Sequence, residues 1–164
     1  MNLLILYLQK SKGLPVLFLL LIPYCARPPV TPEIPSTVSI KQGIKGKVVF
    51  KEGLFSSDGE LEGNGKIYAA ERTIYIYEMV SLSEIEMAEG DFIQYISKSP
   101  IDTARSDEHG LFQIELPPGR YSIVIDENNR LYSKVNTEDL LMPIVVEENK
   151  VTDVLIEIDY KATY

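Results

Sequence analysis

Cysteine, histidine and tryptophan are almost missing from this 164-residue chain, which has one Cys, one His and no Trp. A single cysteine, Cys25, cannot close an internal disulfide, and Cys25 with His109 alone cannot build a Cys/His zinc site. A Cys–His catalytic pair would need Cys25 at the active site, and its place behind an apolar segment argues against that. Basic charge is also scarce. Sixteen Lys and Arg face 24 Asp and Glu, a net charge of −8. No basic stripe exists to follow a phosphate backbone, which excludes a nucleic-acid partner. Charge alone would not hold the chain to an anionic membrane surface either. Two further absences matter. No apolar run reaches the roughly 20 residues that a membrane-spanning helix needs. No amphipathic helix of ten or more residues stands out.

Apolar residues make up 45% of the chain, enough to bury a real core in one domain. The chain opens with Lys10 and Lys12 ahead of a nine-residue apolar run, Leu14 to Ile22, and no acid precedes Glu33. A basic flank before a short apolar run is the pattern of an export signal. Cys25 follows three residues after the run. This segment resembles a bacterial lipoprotein signal, in which such a cysteine receives a diacylglyceryl group and becomes the first mature residue. Tyr24 stands where those signals usually carry a small residue. The resemblance implies a signal over 1–24 and lipid attachment at Cys25. Pro28, Pro29, Pro32 and Pro35 then favour an extended linker over 25–42. Residues 26–42 could reach on the order of 50 Å at ~3.1 Å per residue. Removing 1–25 takes away two lysines and no acid, leaving a net charge of −10.

From Gly43 the hydrophobic period is two. The segments 45–50, 73–80, 91–97, 111–116, 121–125, 142–147 and 151–159 read as short strands rich in β-branched and aromatic residues. Segment 52–69, with four glycines, reads as a long loop, and 81–90 as one helical turn or a polar loop. The expectation is an all-β fold, an antiparallel β-sandwich of seven or so strands over 43–164.

The stretch "SDEHGLFQIELPPGRYSIVIDENN" (106–129) concentrates the candidate chemistry. Its pattern is an acidic turn, Gly110, Phe112, an alternating strand, "LPPG" and Tyr121. Together with the "GKVVF" strand at 46–50 it resembles the carboxypeptidase regulatory-like domains, which are transthyretin-like, Ig-like sandwiches. Gly110, Phe112, Leu116, Pro118, Gly119 and Tyr121 carry the match. The resemblance implies a non-catalytic module that packs against partners or binds at its loops.

His109 is the only histidine. A general base needs an orienting carboxylate and a nucleophile, and no elbow motif surrounds any serine, so a hydrolase reading is the weaker one. Lys47 or Lys51, Glu115 and Asn149 are nominal parts of a pilin-type isopeptide crosslink. However, Glu115 alternates to the solvent face. Asp107, Glu108, Asp126, Glu127, Asn128 and Asn129 should share one end of the sandwich, as the rim of a weak cation or partner site. They lack a D-x-D-x-D-G calcium loop. Tyr75, Tyr77, Tyr95, Tyr121, Tyr132 and Tyr160 could offer a sugar platform, but strand tyrosines usually pack. The reading is a lipid-anchored envelope protein, at the outer membrane facing the periplasm or surface. It acts as a binding or scaffolding module for an envelope protein or glycan, without metal or cofactor. The alternative is a carbohydrate- or peptide-binding accessory of nutrient uptake.

Overall fold

The computed structural model describes residues 39–164, so Cys25, the signal and most of the linker lie outside the described residues. The fold is all-β. Eleven strands follow in order: β1 (Gly43–Leu54), β2 (Lys66–Ala69), β3 (Thr73–Glu78), β4 (Ile85–Met87), β5 (Phe92–Ile96), β6 (Asp102–Arg105), β7 (Leu111–Ile114), β8 (Gly119–Asp126), β9 (Leu131–Tyr132), β10 (Pro143–Val146) and β11 (Val151–Thr163). Segment 81–90, read as one helical turn or a polar loop, holds a 3₁₀ turn at Leu82–Glu84 followed by β4. No helix among the described residues is long and apolar enough to cross a membrane.

Two sheets form the sandwich. The first has four strands, with β1 between β11 and the β2 edge, and β7 pairing the start of β1. The second has seven, in the order β4-β5-β9-β8-β3-β6, with β10 pairing β8. Alternation decides which face each residue takes. Along β3, Ile74 and Ile76 enter the main core, while Tyr75 and Tyr77 face a smaller apolar cluster with Val124 and Leu141 on the opposite side of the sheet. The main core joins Ile44, Val48, Phe50, Phe112, Ile123, Ile125, Ile156 and Ile158, all buried between the sheets.

The structure adds strands that the sequence pattern hides. β2, β4, β6 and β9 are two to four residues long, and no apolar alternation extends beyond them into their flanks. One pairing is also not antiparallel. β1 and β11 run parallel from Gly43↔Val151 to Leu54↔Thr163. A register shift between Phe50 and Glu52 sets Asp159 and Tyr160 opposite Lys51 alone. Such a bulge re-aims side chains locally, and both residues belong to the site described below.

The chain enters at the end of the sandwich that carries "LPPG". The Ser39 N–H donates to Gln113 Oε1 at 3.0 Å, and Gln42 Nε2 donates to the Leu116 carbonyl at 2.9 Å. The last residues of the expected linker are therefore fastened to the sheet. Phe50 and its partner Ile158 lie seven residues further along β1, roughly 23 Å at ~3.3 Å per residue.

Candidate functional site

The "DENN" turn is a two-residue hairpin between β8 and β9. The Glu127 N–H donates to the Arg130 carbonyl at 2.8 Å, and Asn128 and Asn129 have φ of 56° and 65°. Positive φ at both central positions marks a type I′ hairpin, where asparagine is tolerated better than most side chains. The hairpin sets Glu127 and Arg130 opposite each other, so both side chains take the same face.

Glu127 does not stand on the rim, which corrects the expectation for that residue. Its side chain is only 2% exposed and is held by Arg72 through Nε to Oε2 and through Nη2 to Oε1 at 3.2 Å. The Tyr160 hydroxyl donates to Oε1 at 3.1 Å and Asn128 Nδ2 at 2.8 Å. A carboxylate buried without a cation is costly, so the turn folds it inward only because Arg72 on the neighbouring strand edge meets it. Burial first, and then the bond to Glu127, raise the Tyr160 hydroxyl above the usual tyrosine value.

The remaining candidates are turn-makers. Asp107 Oδ1 accepts the N–H groups of His109 at 2.9 Å and Leu111 at 2.8 Å. Asp126 Oδ1 accepts the Asn129 N–H at 2.8 Å. Glu108 and His109 are exposed and lie 3.7 Å apart. Thr73 pairs Arg105 on one side and Asp126 on the other, so the turns 106–110 and 127–130 leave the same end of β3. Their acids do not converge. Among the described residues no group of three or more His, Cys, Asp or Glu is placed to hold a metal ion.

The crosslink candidates do not meet. Glu115 is exposed. Lys51 is 8% exposed and pairs with Glu157 at 2.6 Å. Asn149 sits in the turn before β11, where its N–H donates to Gln42, at the opposite end of β1 from Lys51. The tyrosines are also dispersed: Tyr77, Tyr121 and Tyr132 are buried, Tyr75 and Tyr160 half-buried, and Tyr95 exposed.

What the structure brings together is a cleft of about 280 Å³, open on one side, lined by Glu89, Gly90, Asp91, Phe92, Arg130 and Tyr160. The turn at 88–92 closes when the Ala88 N–H donates to the Phe92 carbonyl at 2.8 Å. Phe92 packs edge-on against Tyr160 at 5.0 Å and against Tyr132 at 5.6 Å. The Arg130 guanidinium lies over its ring at 3.5 Å from the centroid. Below the cleft, Asp159 accepts the hydroxyls of Tyr132 and Tyr164, each at 2.9 Å, and an ion pair from Lys134. Burial alone would raise the Asp159 carboxyl, but these three donors more than offset it, and it sits below the usual aspartate value.

A scan against family models finds no match, and a search among curated proteins finds none. One solved structure, from Pseudomonas aeruginosa, is named as that of a "putative carbohydrate binding protein". It is similar over 79% of this chain and 98% of that chain, at 15% identity and a TM-score of 0.35.

Sequence reasoning reached Tyr160 and the "DENN" turn, though not its hairpin with β9. It missed Glu89, Asp91, Phe92, Arg130 and Arg72. Arg130 follows the Asn-Asn pair, and a type I′ assignment would have placed it opposite Glu127. Nothing in the order of residues places Phe92 under it.

Proposed function

We propose that this chain is a non-catalytic binding module of the bacterial cell envelope. A diacylglyceryl group on Cys25 tethers it, and the proline-rich segment lifts it off the membrane. The cleft at Phe92, Arg130 and Tyr160 is its binding site. The observation that carries the binding reading is the state of the charges in that cleft. Arg130, Glu89 and Asp91 line one open space, and no hydrogen bond or ion pair among the described residues engages their side chains. Charged groups kept in one cleft without hydrogen-bond or ion-pair partners can offer those bonds to a ligand.

The first described residues and the cleft lie at different ends of β1. The chain enters beside Gln113 and Leu116, whereas the cleft is at the level of Phe50 and Tyr160. The body of the module is read as a carboxypeptidase regulatory-like sandwich. In support, the residues of that resemblance act as a structural unit. Gly110 has φ +76°, and the Tyr121 hydroxyl closes the "LPPG" turn onto the Pro117 carbonyl at 2.8 Å.

The tether is tested by intact mass spectrometry of protein extracted from membranes, beside the Cys25→Ser variant. The expected result is a diacylglyceryl mass on the natural chain, with the variant lost from the membrane fraction. An unmodified Cys25 in membrane-extracted protein removes the anchor. Binding at the cleft is tested by the titrations below.

A further inference from the structure

We infer that the cleft takes a small zwitterion, a molecule carrying both a carboxylate and an ammonium group, as a free amino acid or a short peptide does. This inference rests on the reading of the cleft as the binding site.

Arg130 supplies the first half. Its guanidinium lies 3.5 Å from the centroid of Phe92, so one flat face is spent on the ring. The N–H groups lie in the guanidinium plane and remain free around its edge. A planar fork of donors matches a carboxylate through two parallel hydrogen bonds. The stack also fixes the fork before a ligand arrives, which lowers the ordering cost of binding.

Glu89 and Asp91 supply the second half. They flank Gly90, whose φ of +66° turns the chain sharply, and both side chains are exposed at the cleft wall. An ionised carboxylate only accepts hydrogen bonds, and an ammonium group only donates them. Neither acid forms an ion pair with Arg130, so no direct contact between them takes up the donors of the fork or the acceptors of the acids.

The sum of charges then selects the ligand. Two carboxylates and one guanidinium leave the cleft net negative, on a chain whose net charge is −8. A simple anion would meet Arg130 and be repelled by the acids. A simple amine would meet the acids and leave the Arg130 fork unfilled. Only a ligand with both groups is matched on both sides. The volume of about 280 Å³ lies at the small end of ligand pockets, which run from roughly 300 to 1,000 Å³. That suits a molecule of one to three residues.

The test is calorimetric titration of the full chain, held in detergent, with alanine, trialanine, N-acetylalanine, alaninamide and glucose. Alanine or trialanine should bind at least about tenfold more tightly than either half-charged analogue. Tighter alanine assigns a free amino acid, and tighter trialanine a peptide. Arg130→Gln should abolish the advantage over alaninamide, and Arg130→Lys, which keeps the charge without the fork, should restore only part of it. The paired change Glu89→Gln, Asp91→Asn should abolish the advantage over N-acetylalanine. These residues are exposed, and an unchanged melting curve for each variant shows that the fold survives. Equal affinity for zwitterion and analogues, or an unaffected Arg130→Gln, overturns the inference. Glucose binding alone overturns it and leaves the cleft as a binding site. Silence from all five probes overturns the inference and the reading of the cleft together.

Discussion

Arg72 holds the carboxylate of Glu127 inside the protein, across 55 residues of sequence, with both side-chain oxygens engaged. The partners are unequally buried, at 24% exposure for Arg72 and 2% for Glu127. That asymmetry gives a directional prediction. Arg72→Met leaves an uncompensated buried carboxylate and should cost about 3–5 kcal/mol. Glu127→Leu leaves an arginine that reaches water and should cost distinctly less. The double variant should recover much of the loss. Urea unfolding of the three variants checks the order. Equal losses for the two single changes would show that the pair is screened.

Gly110→Ala should be among the most damaging single-methyl changes in the chain. The position has φ +76°, and a Cβ there would lie 2.3 Å from the Val48 carbonyl oxygen. The left-handed backbone alone costs roughly 1–2 kcal/mol for a residue with a Cβ. The collision must also push β1 away from the Gly110 carbonyl, which accepts the Val48 N–H at 2.8 Å. Denaturant midpoints should show a loss above the backbone cost. A smaller loss would mean that the turn relaxes freely.

Tyr121→Phe removes one hydroxyl and leaves the ring in the core. The lost bond to the Pro117 carbonyl should cost about 0.5–1.5 kcal/mol. Gly119→Ala is linked to the same hydroxyl, because its Cβ would lie 2.9 Å from the Tyr121 oxygen. The two changes should therefore be non-additive, with Gly119→Ala better tolerated in the Tyr121→Phe background. A double-mutant cycle in urea measures this, and strict additivity would contradict it.

Acid should weaken the fold through Glu84. Lys98 is the main influence, followed by the Ser81 N–H and hydroxyl, and together they hold the Glu84 carboxyl at about 2, against an ordinary value of 4.5. A folded value below the unfolded one means that the contribution is fully present above pH 4.5. It is lost as the pH falls towards 2. Asp159, held low by Lys134, Tyr132 and Tyr164, acts in the same direction. Thermal midpoints between pH 6 and pH 2 should fall less steeply for Glu84→Gln than for the natural chain. Parallel curves would remove Glu84 from the acid response.

The sheet architecture was readable wherever strands were long enough to show a period. β1, β3, β5, β7, β8, β10 and β11 fall within segments that are rich in β-branched or aromatic residues, by alternation as in β7 or by a continuous apolar run as in β3. β9, at two residues, and β2, inside a glycine-rich segment, show neither. The parallel β1–β11 pair was not legible because alternation fixes a strand's faces and not its direction. Gly119 illustrates a partial reading. The sequence marks it as part of the "LPPG" match, and the structure gives it a strand conformation with the Tyr121 hydroxyl 2.9 Å from where a Cβ would lie. At the site, Glu127 looked like a rim acid because its neighbours in sequence are polar. Its burial depends on Arg72, whose distance along the chain carries no local signal. The Phe92–Arg130 stack likewise joins two turns that only the folded chain brings together.

The pairing of β1 with β11 has a consequence for how the protein is made. Among the described residues β1 is the first strand in chain order, and its longest partner, β11, is the last. Gly43 finds Val151 only after more than a hundred intervening residues have been synthesised. Until then one whole flank of β1 carries unpaired N–H and C=O groups, a template for wrong pairing. Contacts of such long sequence separation slow folding. The β1–β11 ladder therefore cannot form as β1 emerges, and it closes only once Val151–Thr163 has been made.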